Sequence, residues 1–359
     1  MKKERIKAFD LIRTLCTIGI VLFHYCFNYI EFGISGTHIF FARFTNGNWG
    51  GMFVAMFFML SGAVLWYNYR DDFRIGRFYL RRWLSIFPMF YLAWFFAYLD
   101  KVKELGGWYW AGSRRLFIWT ILGVDGYFLK PGVNMNYYTL GEWFLGAIVM
   151  LYVAFPLLRL LFIKPVVRWI FTAVLLVPYL YNIYTDWFAI SDGKNMITCL
   201  MDFWLGMLIM EYVPLLIKKS DKVRYGVLAV LALIALAIMF IPRENFREVL
   251  VSTVCGAIWM AVIMGTCEGL MDVKPVGIFC KYISKWSFGI FLVHHVLLYA
   301  VMENFKGGNI NWLQSIGLFL LNFALICAVG ALLTLWGSFF TGAVNRIFRF
   351  AEEKLHTKY

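Results

Sequence analysis

A charged residue and a titratable one stand near the start of the chain, in the stretch RTLCTIGIVLFH (residues 13–24). Arg13 and His24 end an otherwise mostly apolar run, inside a segment, residues 9–30, that is long enough to cross a bilayer. Such groups are costly and rare inside membranes, so this pair is a functional-site hypothesis. Eleven residues of α-helix make three turns plus about 20°, which places both side chains on one face, about 16 Å apart.

This face of the first helix suits an elongated ligand with an anionic end. Arg13 would hold the anionic end, and His24 would reach the far end as a general base, because an imidazole exchanges protons near neutral pH. Asp10, three residues before Arg13, is placed to form an ion pair on the same face. The alternative is that Arg13 extends to the membrane surface and His24 is a packed residue. The shared face of the two residues counts against it.

The composition predicts a polytopic membrane protein. Of its 359 residues 62% are hydrophobic, with a mean hydropathy of +0.70, whereas soluble domains are about 45–50% apolar. The net charge of +13 is better explained by basic cytoplasmic loops than by a nucleic-acid partner. The seven cysteines form no C-x-x-C pair, and no zinc-ligand spacing or Walker loop is found. We therefore expect no bound metal or cofactor.

Apolar stretches of spanning length predict an all-α fold with about ten transmembrane helices in one membrane domain, residues 1–359. The stretch 116–124 is apolar but too short to cross. The first run, about 22 residues, is too long for the apolar core of a signal peptide and is predicted to be an uncleaved span. The predicted spans are 9–30, 51–68, 80–99, 143–163, 168–188, 196–217, 225–241, 248–270, 286–302 and 314–341.

The distribution of basic residues predicts the orientation of these spans. With the N-terminus cytoplasmic, 22 of the 34 Lys and Arg residues fall in or beside cytoplasmic segments and 10 in the opposite loops. Cytoplasmic loops carry an excess of Lys and Arg. Both termini are therefore expected to be cytoplasmic.

Five short motifs follow one another along about 300 residues. The first is Arg13, ten residues, then His24, within FDLIR and the apolar run that follows. The other four motif segments are FFMLSGAVL (57–65), LRRWLSIFP (80–88), EWFLGAIVMLYVAFPLL (142–158) and SFGIFLVHH (287–295). In kind and in order, the five motifs resemble those of the acyltransferase-3 family.

The resemblance implies a bacterial enzyme of the cytoplasmic membrane that transfers an acyl group, commonly acetyl, from acyl-CoA to a glycan or a lipid-linked sugar. Its partners would be acyl-CoA, that acceptor and membrane lipid, with no nucleic acid. The implied catalytic residues are His24 and Arg13, to which the spacing argument adds Asp10. The expected donor-binding residues are Arg82, Arg81, Arg77 and Ser61, and the expected acceptor-binding residues are Glu142, Trp143 and His294.

Three positions depart from the family pattern. Ser85 stands where the family has a second arginine after the one matched by Arg82, so Arg81 or Arg77 would supply the missing charge. Ile148 stands where some branches carry a glutamate, and Phe291 replaces the usual tyrosine. For Ser61 the alternative of bridging two helices is favoured over ligand contact, since small residues permit close helix packing.

Other functions are compatible with some of these features. A proton-coupled transporter or exporter would use His24, Asp202, Glu268 and His294 as a relay, although no repeat typical of transporters is visible. A third alternative is a membrane sensor or scaffold that catalyses no reaction. The aromatic-rich loop 100–142 is either a sugar platform or an interfacial aromatic belt.

Overall fold

The computed structural model is 81% helical and describes residues 4–128, 136–141, 143–185 and 190–356. Its helices are α1 (Lys7–Glu31), α2 (Trp49–Tyr69), α3 (Ile75–Leu105), α4 (Phe117–Leu122), α5 (Asp125–Phe128), α6 (Trp143–Ile163), α7 (Pro165–Tyr184), α8 (Met196–Ile217), α9 (Asp221–Phe240), α10 (Glu248–Thr266), α11 (Glu268–Asp272), α12 (Lys274–Met302) and α13 (Trp312–His356).

Ten helices in the described part of the chain are long and apolar enough to span a membrane, which confirms the predicted all-α, ten-span fold. The apolar stretch 116–124 forms only the short helix α4. The predicted span 248–270 is interrupted: α10 ends at Thr266, and α11 begins at Glu268. That a single membrane domain holds the whole chain, and that both termini are cytoplasmic, stay predictions.

Two small strand pairs secure the loops that follow α1. Strand β1 (Ser35–Gly36) pairs in parallel with β4 (Asn309–Ile310). Strand β2 (Arg43–Phe44) pairs in antiparallel fashion with β3 (Gly47–Asn48), directly before α2. The β1–β4 pair thereby ties the end of α1 to the segment that precedes α13.

The chain divides into two compact units. The first comprises Met1–Phe73, Ala147–Ser284 and Leu298–Leu321, and the second comprises Arg74–Gly146, Lys285–Leu297 and Asn322–Tyr359. In the first unit, α2 packs against α1, α8 and α10, and α10 also packs against α9. The candidate general base and its helix therefore belong to a unit with α2 at its centre.

The crossing of α2 and α8 depends on a pair of glycines. A Cβ added at Gly62 would overlap the backbone carbonyl oxygen of Phe203, and one added at Gly206 would overlap that of Met59. Small residues allow two helix backbones to approach closely, which increases their van der Waals contact. Gly62 is the glycine of the Ser-Gly motif in the second span, so this part of the motif has a packing role.

An ion pair between a buried arginine and a half-buried glutamate braces the same unit near the end of α2. Arg168 donates from Nη1 to a carboxylate oxygen of Glu211 (3.3 Å) and to the hydroxyl of Tyr212 (3.1 Å). The other carboxylate oxygen of Glu211 accepts a hydrogen bond from Trp66 Nε1 at 2.8 Å. Three helices, α2, α7 and α8, are thereby joined around one carboxylate. A buried charge is tolerated when it is paired in this way.

In the second unit, a proline in α3 creates the contact with α13. Pro88 lacks the N–H that would bond the carbonyl of Leu84, and this carbonyl instead accepts from Thr341 Oγ1 at 3.4 Å. The carbonyl of Pro88 accepts from Trp336 Nε1 at 3.3 Å. Freed backbone groups in membrane helices need such partners, so α13 compensates for the proline.

An alanine at Gly62 should destabilise the protein by about 1–3 kcal/mol or more, because its methyl group would collide with backbone that cannot rotate away. The measurement is thermal unfolding of the purified protein in detergent. Gly226 of α9 is the matched control, since a Cβ there has no neighbour within 4 Å. Gly226→Ala should be neutral or slightly stabilising. Equal unfolding temperatures for the two variants would contradict the proposed crossing.

Candidate active site

The first helix brings Arg13 and His24 into one continuous α-helix, Lys7–Glu31, as the sequence predicts. Most of this helix is buried, and both side chains are half-buried. The helical rise over eleven residues separates the two by about 16 Å along the axis. The spacing argument from the sequence therefore applies to the structure.

Arg13 is held by a short hydrogen-bond chain within the first unit. Its Nη1 donates to the hydroxyl of Ser284 at 3.1 Å, and this hydroxyl donates to Asp10 Oδ1 at 2.8 Å. The other oxygen of Asp10 pairs with Arg5 at 2.8 Å. Asp10 and Ser284 are both buried. The structure thus links Asp10 to Arg13 through Ser284, where the sequence suggested a direct ion pair.

Ser284 was missed by the sequence reasoning. It lies three residues before Ser287, where the late motif begins, and 271 residues from Arg13 along the chain. The start of α12 is fixed beside α1 by a second contact, since Thr14 Oγ1 donates to the carbonyl of Cys280 at 3.1 Å. The signal that could have found Ser284 is its place one helical turn before a motif serine, on a segment already matched to the family.

His24 is positioned by the aromatic packing between α1 and α2. The ring of the preceding residue, Phe23, meets the imidazole edge-on at 5.3 Å between centroids. A Cβ added at Gly50 of α2 would lie 2.7 Å from the Phe23 ring, and one added at Gly19 of α1 would overlap the ring of Phe53. A glycine on each helix thus admits an aromatic ring from the other. This packing fixes the turn of α1 that carries His24.

A buried tyrosine pair fixes α1 one turn beyond His24. The hydroxyls of Tyr25 and Tyr29 lie 2.8 Å apart. Tyr25 donates to the carbonyl of Ser315 at 2.7 Å, and Tyr29 donates to the Ser315 hydroxyl at 3.0 Å. The imidazole therefore lies between two anchored regions, at Arg13 and at Tyr25.

Ser61 lies half-buried on α2, directly before the glycine that crosses α8. Its expected role in donor binding stays a prediction. The neighbouring Gly62 serves close helix packing, and the favoured alternative, that Ser61 itself bridges two helices, also stays a prediction.

The three predicted donor-binding arginines lie in the second unit, on the first turns of α3. Arg77 and Arg81 are exposed and Arg82 is half-buried. Ser85, which replaces the family's second arginine, turns its hydroxyl back to the Arg82 carbonyl at 2.9 Å. The side chain at this position therefore forms a hydrogen bond within its own helix, α3.

Two predicted acceptor-binding residues are joined by aromatic rings in the second unit. Trp143 meets Phe144 at 6.3 Å, Phe144 meets Phe291 at 5.2 Å, and Phe291 meets His294 at 5.8 Å between centroids. His294 is buried, and its Nδ1 lies 2.6 Å from the carbonyl oxygen of Phe291. An oxygen acceptor requires Nδ1 to carry the proton. Glu142 lies outside the described residues.

A comparison with protein families decides the class of this protein. A family model described as an acyltransferase domain, that of acyltransferase-3, matches residues 6–342, nearly the whole chain. The chain belongs to the acyltransferase-3 family. No curated protein and no solved structure gives a significant match.

The family assignment confirms the resemblance inferred from the five motifs and supports a membrane acyltransferase. The match begins before Arg13 and ends beyond the late motif at His294. All the candidate residues of this acyltransferase therefore lie inside the matched range.

The described residues of the aromatic-rich segment 100–142 of the acyltransferase are divided between core and surface. Tyr137 is fully buried and stacks on Phe117 at 3.8 Å between centroids, with Trp110 at 5.4 Å. Trp108 and Tyr109 are exposed. Of these rings, only the exposed ones are accessible to a sugar, whereas Tyr137 belongs to the core of the second unit.

Asp125 ties the two halves of this loop together. Its carboxylate accepts hydrogen bonds from Thr120 Oγ1 and from the backbone N–H of Gly126, both at 3.0 Å. Its carbonyl accepts from Asn136 Nδ2 at 2.6 Å. The side chain is buried, and this burial raises the pKa of the Asp125 carboxyl to about 6. Asp125 and Asn136 are therefore structural groups of the loop.

Removing the Ser284 hydroxyl should cost about 1–3 kcal/mol of stability, because the buried Asp10 and the half-buried Arg13 would lose a shared partner. Ser284→Thr keeps a hydroxyl and should recover part of the loss. Ser338→Ala is the control, since this hydroxyl bonds only its own helix at the carbonyl of Thr334 among the described contacts. The measurement is the thermal unfolding temperature in detergent. Equal effects of Ser284→Ala and Ser338→Ala would contradict the bridging role.

The raised pKa of Asp125 should make the protein less stable as pH rises. The folded state holds the proton up to about pH 6 and the unfolded state only to about 3.8. The extra stability is full below the unfolded value and disappears as pH rises through the folded value. Between pH 5 and pH 8 the loss is about 1 kcal/mol. Asp125→Asn should flatten this part of the profile of unfolding temperature against pH, and an unchanged slope would contradict the assignment.

Proposed function

We propose that this family member is an acyl-CoA-dependent O-acyltransferase. It would transfer an acyl group, acetyl as the first expectation, from cytoplasmic acyl-CoA to a hydroxyl of a cell-surface or lipid-linked glycan. Its location would be the cytoplasmic membrane of a bacterium. The observation that carries this proposal is the pair on α1: an arginine anchored through Ser284 and a positioned imidazole three turns farther along the same helix.

His24 is proposed as the general base. It would take the proton of the acceptor hydroxyl as that oxygen attacks the thioester carbonyl carbon. The new ester bond forms, the carbon–sulfur bond breaks, and the leaving thiolate of CoA recovers the proton from the imidazolium. In the alternative route the imidazole attacks first: a carbon–nitrogen bond forms, the carbon–sulfur bond breaks, and the leaving thiolate takes the imidazole proton. The acceptor hydroxyl then attacks this acyl-histidine, so that the ester bond forms, the carbon–nitrogen bond breaks, and the hydroxyl proton passes to the released imidazole nitrogen. Both routes are complete without a metal or a redox cofactor.

Arg13 is proposed to bind the anionic part of acyl-CoA. A guanidinium has five N–H donors in a fixed fork, and it suits phosphate through paired hydrogen bonds. The contact with Ser284 uses Nη1 and orients the group. Arg13 thus enters the reaction already oriented, which reduces the ordering cost of binding the donor.

The other assignments rest on the family resemblance. Arg82, with Arg81 or Arg77, would contact the CoA phosphates, and Ser61 would support the donor. Trp143, Glu142 and His294 would contact the acceptor. The support from the structure is that Trp143 and His294 belong to one run of aromatic contacts.

Replacing His24 by glutamine should lower acyl transfer by about 10²–10⁴-fold, the usual contribution of a general base. The assay incubates purified protein with labelled acetyl-CoA and a panel of envelope glycans and lipid-linked sugars. His38→Gln is the matched control, because His38 lies outside the spans and stacks on Tyr29.

Three results would decide the proposal. Loss of transfer in His24→Gln, with His38→Gln active, would support it. Near-normal turnover in His24→Gln would remove His24 from the mechanism. If wild-type protein transfers no label to any acceptor but moves protons across vesicle membranes, the transporter alternative would replace the acyltransferase proposal.

A further inference from the structure

The second unit contains a large apolar groove between α3, α4 and α13. Its volume is about 780 Å³, and aromatic and aliphatic side chains provide most of its walls. Several of them are exposed: 40% for Trp83, 47% for Phe95, 57% for Ile121 and 40% for Trp336. The groove is therefore open along its side, and two of its three helices, α3 and α13, are of membrane-spanning length.

Three of the aromatic walls have their polar atoms bonded to backbone carbonyl oxygens. Tyr91 donates its hydroxyl to the carbonyl of Ile121 at 2.6 Å, and Trp94 Nε1 donates to the carbonyl of Tyr137 at 2.8 Å. Trp336 Nε1 is bonded to Pro88, as described above. These rings are fixed by their backbone contacts and present carbon to the groove. A hydrocarbon ligand would meet a preformed surface.

The groove is long in the direction of α3. Its lining residues on this helix run from Trp83 to Tyr98, and fifteen residues of α-helix rise about 22 Å. The hydrocarbon core of a bilayer is about 30 Å thick, so one leaflet is about half of that. The groove can therefore hold one hydrocarbon chain of a membrane lipid over its whole length.

Two arginines continue the groove face of α3 at its N-terminal end. Each residue of an α-helix turns about 100° around the helix axis. Measured around the axis of α3, Arg77 lies about 35° and Arg81 about 75° from the mean direction of the residues of α3 that line the groove. Arg82 lies about 175° away, on the opposite side of the helix. The exposures agree, since Arg77 and Arg81 are exposed and Arg82 is half-buried. Arg77 and Arg81 therefore lie on the groove side of α3, and Arg82 lies on the opposite side.

We propose that this groove binds an anionic phospholipid of the surrounding bilayer. One acyl chain would lie against Trp83, Pro88 and Phe95, and the phosphate would be held by Arg77 and Arg81. Guanidinium groups bind phosphate through charge-assisted hydrogen bonds, and basic residues beside a membrane attract anionic lipid. Arg82, on the other face, stays with the proposed donor site. The lipid site rests on the second unit alone, and it assigns Arg77 and Arg81 to lipid in place of the donor-binding role that the family resemblance offers to one of them.

The test measures lipid binding to the purified full-length protein by native mass spectrometry. The probes are phosphatidylglycerol and phosphatidylcholine with identical chains, and glycerol phosphate as the headgroup without chains. Arg77→Gln/Arg81→Gln removes the charges, and Arg77→Lys/Arg81→Lys retains them. Arg115→Gln is the charge control, since Arg115 is exposed in the 3₁₀ turn before α4. Ile121→Trp fills the groove, and Ile118→Trp adds the same bulk on α4 outside the lining.

We expect the protein to bind phosphatidylglycerol tightly, phosphatidylcholine more weakly and glycerol phosphate not at all. The double glutamine variant should lose about thirty-fold in affinity for phosphatidylglycerol, and the lysine variant should lose much less. Ile121→Trp should reduce binding at least tenfold relative to Ile118→Trp.

Equal affinity for the two lipids would overturn the proposal, as would a loss in Arg115→Gln equal to that in the double variant. Unchanged binding in Ile121→Trp would show that no chain occupies the groove. If the double glutamine variant fails to fold, the Ile121→Trp and Ile118→Trp pair still decides the matter. Binding of glycerol phosphate as tight as that of the full lipid would show a phosphate site without a chain groove.

Discussion

A guanidinium within a membrane span needs hydrogen-bond partners. The partners of Arg13 determine how the helices of the first unit are placed around α1. Its contact with Ser284, and through Ser284 with Asp10, requires the start of α12 to lie beside the start of α1. Thr14 and Cys280 add a second contact between the same segments. The tyrosine pair at Tyr25 and Tyr29 fixes the far end of α1. Between these anchors the helix cannot rotate, so the face shared by Arg13 and His24 is set by groups distant in sequence.

Glycines supply the second constraint, because helices that carry large aromatic rings can approach closely only where a neighbour has no side chain. Gly62 and Gly206 bring the α2 and α8 backbones together, and Gly19 and Gly50 admit Phe53 and Phe23. Gly62, the glycine of the Ser-Gly motif in the second span, therefore has a packing role, although the resemblance connects this motif with donor binding. The same motif can serve a family for both reasons, since a site in a membrane protein depends on close and rigid helix contacts.

The sequence predicted the ten spans because apolar length is a direct consequence of bilayer thickness, and it predicted the shared face of Arg13 and His24 because helical periodicity is local. The five motifs and their order along the chain indicated the family, and the family comparison confirmed it. Long-range contacts could not be predicted in this way. Ser284 lies 271 residues from Arg13, and the burial of Asp125 depends on Thr120 and Asn136. The structure also showed that Tyr137 is a core residue, which composition alone left open.

The most direct test of this account is the affinity of the purified protein for acetyl-CoA, compared between wild type and Arg13→Gln by titration calorimetry. If Arg13 binds the anionic part of the donor, the variant should bind at least about tenfold more weakly, the value of a lost charged hydrogen bond. Arg13→Lys should lie between the two, and Arg43→Gln, which removes an exposed arginine of the same unit, should match wild type. Unchanged affinity in a folded Arg13→Gln protein would contradict the account, because Arg13 would then serve only to hold Ser284 and Asp10 together.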